Sequence, residues 1–169
     1  MISLARLNTA PDGDFVTALG GIHEHSDWVP QRVLQRRPFL NLENLKLAMR
    51  QVVENATDAE KLTLIRAHPD LAGKLAKAGE LTEESTREQA GLGLDRLDDQ
   101  EYERFQDRNE RYREKFGFPF IICARLTSKA GVLEAFDKRL EHSCDQEISE
   151  ALIQIHQIAR LRLEHEQSK

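Results

Sequence analysis

This chain has little of what marks a secreted, membrane-spanning or nucleic-acid-binding protein. Cysteine occurs twice, at Cys123 and Cys144, too few for a disulfide framework, so both are expected as free thiols in a reducing compartment. Cys123 lies inside an apolar run and reads as a small packing residue. No apolar stretch approaches the about 20 residues a spanning helix needs. The opening residues lack the basic-then-apolar order of a signal peptide, and Gln167-Ser168-Lys169 is not the Ser-Lys-Leu peroxisomal address. A cytoplasmic location without membrane contact is the expectation. Basic residues form no stripe: 24 Lys and Arg are interleaved with 29 Asp and Glu, for a net charge of −5. A nucleic-acid partner is therefore not expected. Metal ligands are not grouped either. His23-Glu24-His25 would face its imidazoles apart on a helix, and His142 with Cys144 lacks two further spaced ligands. No G-x-S-x-G elbow or P-loop lysine motif is present.

What remains is helical periodicity. With 169 residues, 40% apolar and 31% charged, the chain suits one soluble all-α domain spanning 1–169. Phe15, Leu19 and Ile22 follow a helical stripe after Pro11-Asp12-Gly13, locally weakened by Gly20-Gly21. Asn41 reads as an N-cap ahead of Leu42, Leu45, Met49, Val52 and Val53. Thr57 with Glu60 matches a capping box, starting a segment through Leu62, Leu64 and Ile65 toward His68, and Asp98 with Glu101 opens a longer helix whose apolar stripe is Tyr102, Phe105, Tyr112 and Phe116. Thr127 or Ser128 caps a helix carrying Val132, Leu133, Phe136 and Leu140. A last helix from near Asp145 aligns Ile148, Leu152, Ile155, Ala159 and Leu163. The rhythm breaks at Gly117-Phe118-Pro119, where glycine permits unusual angles and proline disfavours helix. The apolar run Phe120-Ile121-Ile122-Cys123-Ala124 reads as an extended lead into a buried helix.

Two short segments carry candidate chemistry, each with a bland alternative. Pro69 pushes His68 out of helical geometry and suits the first turn of a helix beginning near Asp70. The positive end of that helix would favour a neutral imidazole and a nearby carboxylate a charged one, poising His68 for acid–base work. Alternatively, His68 merely flanks a helix start. Ser85 and Glu88 stand in the S-x-x-E relation of a capping box. Alternatively, Ser85, Glu88 and Gln89 turn inward to bind a polar ligand.

Together the segments resemble the 2-oxo-4-hydroxy-4-carboxy-5-ureidoimidazoline (OHCU) decarboxylases of urate breakdown. The resemblance rests on Trp28-Val29 with Arg37-Pro38-Phe39, His68-Pro69-Asp70-Leu71-Ala72 and Ser85-Thr86-Arg87-Glu88-Gln89 continuing to Gly93-Leu94. It continues with Tyr112, Lys115 through Arg125, and Ile158-Ala159 with Leu161-Arg162-Leu163. It runs from about residue 12 to 165, with Leu92 where many relatives have Ala. The resemblance implies an all-α homodimer needing no cofactor or metal, which converts OHCU to (S)-allantoin and CO2. It also implies His68 as proton donor with Glu88 as its catalytic partner. Pro69, Ser85, Thr86, Arg87, Gln89 and residues Phe120, Ile121, Ile122, Cys123 and Ala124 are then expected to line the substrate. Arg162 is a candidate for the substrate carboxylate; otherwise it is a surface arginine.

Overall fold

A computed structural model describes residues 3–168, with the backbone alone for 75, 77, 167 and 168. The C-terminal tripeptide read for a peroxisomal address therefore ends outside the described residues. Among these residues there is no β-strand; the chain is α-helical with short 3-10 turns. Its contacts divide it into two compact units, residues 1–67 with 156–169, and residues 68–155.

The first unit holds α1 (Leu4–Thr9), α2 (Asp12–Leu19), α3 (Trp28–Val33), α4 (Leu42–Glu54) and α5 (Asp58–Arg66). It also takes the second part of α10 (Cys144–Ser168). Local chemistry sets the helix starts. Asn41 accepts from the Asn44 N–H at 2.9 Å, and Thr57 and Glu60 cap each other reciprocally. Gly20-Gly21 ends α2 in a 3-10 turn without costing Ile22 its buried place. The α2 and α4 stripes meet α3, burying Phe15, Leu19, Val29, Val33, Leu45, Met49 and Val53. Phe39 stacks on Phe15 with ring centroids 6.3 Å apart.

The second unit holds α6 (Lys74–Ala78), α7 (Glu83–Gly91), α8 (Asp99–Phe116), α9 (Lys129–Arg139) and the first part of α10. The Asp98–Glu101 capping box starts α8, and Gly117, left-handed at φ 75°, ends it. The expected stripe of α8 is refined: Asn109 sits in line with buried Phe105, Tyr112 and Phe116, while Tyr102 is half-buried. Tyr112 is the hub of an aromatic cluster with Phe116, Phe118, Phe120 and Phe136, and Phe120 stacks on Phe136 at 3.7 Å. Ser128, not Thr127, caps α9. The run after Pro119 does not lead into a buried helix. Residues 118–123 are extended or irregular and give way to a single 3-10 turn, Ala124–Leu126, in which Arg125 and Leu126 are exposed.

Both cysteines are free thiols, Cys123 buried and Cys144 exposed. Among the described residues no helix is long and apolar enough to cross a membrane.

Candidate active site

The histidine segment lies between two helices and belongs to neither. α5 ends at Arg66, and Pro69 keeps His68 out of a helix, as expected. No helix begins at Asp70, however. Leu71 and Ala72 form a turn, and α6 opens only at Lys74. The helix N-terminus expected beside the imidazole does not form, because side chains take up the backbone groups that a first turn would use. Gln89 Oε1 accepts from the Ala72 N–H at 2.8 Å, and Gln89 Nε2 donates to the Asp70 carbonyl at 3.2 Å. From α8, Gln106 Nε2 donates to the Ala72 carbonyl and Asn109 Nδ2 to that of Leu71, both at 2.9 Å. Arg113 Nε reaches the two Asp70 oxygens at 2.9 and 3.1 Å.

Ala72 is thus held through both its peptide groups, which explains its φ of 51°. That left-handed angle costs a residue with a Cβ about 1–2 kcal/mol, and a loop does not keep it without such restraint. Gly73 follows from the same tight turn, since a Cβ there would meet the Asp70 Cβ at 2.8 Å. His68, at the head of this restrained segment, is only 6% exposed.

α7 resolves the ambiguity of Ser85 and Glu88. The N-cap is Thr82, whose hydroxyl accepts from the Ser85 N–H at 3.3 Å, so Ser85 lies one turn inside the helix. The S-x-x-E pair is not a capping box. Ser85, Glu88 and Gln89 instead fall on one helical face, Ser85 and Gln89 buried and Glu88 half-buried. Thr86 and Arg87 are exposed and are not brought to that face. Because Gln89 grips the segment of Asp70 and Ala72, the face carrying Glu88 lies against the loop that His68 heads. Pro69 is half-buried in that loop.

The third predicted segment reaches α7 through the turn Ala124–Leu126, which packs on that helix. Phe120, Ile121, Cys123 and Ala124 are buried and Ile122 is half-buried. Behind them is a cluster that sequence patterns do not single out. Arg139 (4% exposed) and Glu147 (0%) form a buried ion pair, with Arg139 Nη2 to Glu147 Oε2 at 2.8 Å. Tyr112 donates its phenol proton to Glu147, and His142 Nδ1 lies 2.7 Å from Glu147 Oε1. Burial, then the bond to Glu147, pushes the Tyr112 phenol far above its ordinary range, so it stays a donor.

Arg162 belongs to the other unit. It is 4% exposed and no surface arginine, donating to Glu24 Oε1 at 2.9 Å and to the Gly21 carbonyl at 3.0 Å. Gln106, Asn109, Arg113, Arg139 and Glu147 are supporting residues sequence reasoning missed, as is Gln154, whose Oε1 accepts from the Cys123 N–H. The one signal was Asn109, a polar residue in register with an apolar stripe.

Comparison with known proteins gives the chain a family. The family model for OHCU decarboxylase matches residues 8–164. The chain belongs to the OHCU decarboxylase family. It is 41% identical to the 2-oxo-4-hydroxy-4-carboxy-5-ureidoimidazoline decarboxylase of Haloferax volcanii, over 96% of this chain and 94% of that protein. Among solved structures, a crystal structure of (S)-allantoin synthase aligns with a TM-score of 0.78 and 32% identity, covering 98% of this chain and 54% of that one. A crystal structure of OHCU decarboxylase in the presence of (S)-allantoin aligns at 0.71 and 21% identity, covering 95% and 100%. That second likeness speaks for the fold alone.

Proposed function

We infer that this chain is a carboxy-lyase that decarboxylates OHCU to (S)-allantoin and CO2 in urate degradation. The observation that carries the site assignment is the bridge made by Gln89, which ties the loop headed by His68 to the helix face bearing Ser85 and Glu88. In the reaction the bond to the carboxylate breaks and its electron pair moves into the ring's conjugated C=N and carbonyl groups. The substrate is its own electron sink, so this reading needs no cofactor. The carbon that loses the carboxylate becomes a ring carbonyl as its hydroxyl gives up its proton, a proton is delivered from one face to the adjacent carbon that bears the ureido group, and His68 is assigned as the donor of that second proton. Glu88, with Ser85, accepts hydrogen bonds from ring and ureido N–H groups and favours the protonated imidazole. Gln89 acts through the loop, and the backbone of Phe120–Ala124 lines the ligand. The reading includes one functional domain over 1–169, a cytoplasmic homodimer, and no membrane or nucleic-acid partner.

The test is to supply freshly generated OHCU and follow the circular dichroism of the allantoin formed. Fast appearance of the S enantiomer is the expected result. Racemic allantoin forming at the uncatalysed rate would contradict the assignment.

A further inference from the structure

The backbone of Ile121–Cys123 is gripped from behind at two atoms. Arg139 Nη1 donates to the Ile121 carbonyl at 2.7 Å, and Gln154 Oε1 accepts from the Cys123 N–H at 2.9 Å. In a trans peptide unit the C=O and N–H point in opposite directions. Holding the Ile121 carbonyl therefore aims the Ile122 N–H away from Arg139. Holding the Cys123 N–H aims the Ile122 carbonyl away from Gln154. Neither Ile122 group has a hydrogen-bond partner among the described residues, and Ile122, which lies between the two gripped residues, is the one residue of Pro119–Ala124 that is half-buried rather than buried. Sheltered backbone groups in folded proteins are nearly always paired, so a donor and an acceptor left open side by side call for a ligand.

Each grip is itself supported. Glu147 fixes Arg139, Tyr112 and His142 fix Glu147, and Gln154 Nε2 donates to Glu150 Oε1 at 2.7 Å. The Arg139 guanidinium also lies over the Phe120 ring, 4.3 Å from its centroid. A buried ion pair adds little net stability compared with apolar replacements. Orientation of the backbone is what this cluster provides.

We propose that Arg139 and Gln154 are positioning residues that turn the Ile122 N–H and C=O outward as a donor–acceptor pair for an amide or ureide edge of the substrate. The proposal rests on the decarboxylase reading above. A ureide offers N–H and C=O groups side by side, the complement of a single extended residue, and a pre-set pair binds it without an ordering cost.

The test uses wild type, Gln154→Met, and the paired variant Arg139→Met with Glu147→Leu, which leaves neither charge alone. Steady-state OHCU turnover, melting temperature and the 15N amide resonance of Ile122 during (S)-allantoin titration are recorded. Folded variants are expected to show KM raised about tenfold for each grip removed, the scale of one hydrogen bond, with kcat changed far less. The Ile122 amide should shift on adding allantoin to wild type and need about tenfold more allantoin for the same shift in the variants. A wild-type KM in either folded variant, or an Ile122 amide unmoved by allantoin that binds wild type, overturns the proposal. The wild-type titration decides even where the paired variant does not fold. Wild-type protein inert toward OHCU would instead overturn the decarboxylase reading itself, before any variant is compared.

Discussion

The two irregular segments of residues 68–155 are restrained by opposite chemistries. Loop 68–73 is held mostly by neutral amides, Gln89, Gln106 and Asn109, with one partly exposed ion pair, Arg113–Asp70. Segment 118–124 is held through a fully buried charge pair and a glutamine. Amides satisfy backbone groups without burying charge, so each contributes modestly and can be lost singly. The charge pair is all-or-none: complete, it orients a carbonyl; halved, it leaves an ion in the interior. The loop that carries the proposed proton donor thus rests on several small restraints, and the proposed ligand-lining segment on one large restraint and one glutamine.

The largest break in this contrast is Glu147→Leu, which strands Arg139 inside the unit. Urea unfolding should show a loss of about 3–5 kcal/mol, most of it recovered when Arg139→Met is added. A small loss in the single variant would mean that water or another group already compensates Arg139. Gln89→Leu should cost less, about 1–3 kcal/mol, because it leaves the Ala72 N–H and Asp70 carbonyl without their partner. Turnover per folded molecule should fall as well, as the loop loosens around His68. Unchanged turnover in folded Gln89→Leu would separate loop restraint from catalysis.

Glu88→Gln sharpens the comparison on the helix face itself. Thr82 rather than Ser85 caps α7, so stability should change little while OHCU turnover and affinity both drop. A purely structural Glu88 would give the reverse pattern. The smallest effect is expected in the other unit, at Glu60. Its hydrogen bond from Arg32, with those from Thr57, holds the carboxyl at about 2 against an ordinary 4.5. A carboxyl lowered on folding stabilises above its unfolded pKa. That contribution should therefore fade as pH falls from about 4.5 toward 2. Glu60→Gln should flatten only this acid limb of the stability–pH curve, slightly, since the group is exposed.

The helix starts were legible because caps are local. Asn41, Thr57–Glu60, Asp98–Glu101 and Ser128 each announce themselves within four residues. The same locality misleads at Ser85, where S-x-x-E imitates a box although Thr82, followed by Glu83 and Glu84, is the better start. His68 was legible through Pro69, but the helix expected after it was not excluded by any nearby residue. What prevents that helix lies at sequence separations of 17, 34, 38 and 43, in Gln89, Gln106, Asn109 and Arg113. Arg139 was illegible for a related reason. An arginine following an apolar stripe reads as the solvated end of a helix, and only Glu147 and the Ile121 carbonyl make its burial possible.

The most direct test of the account is His68→Asn, assayed with fresh OHCU beside a far-UV spectrum of the same sample. Retained helicity with S-selective formation of allantoin reduced to the uncatalysed, racemic background is the predicted result. Wild-type rate and handedness in the folded variant would contradict the assignment of His68 as the proton donor.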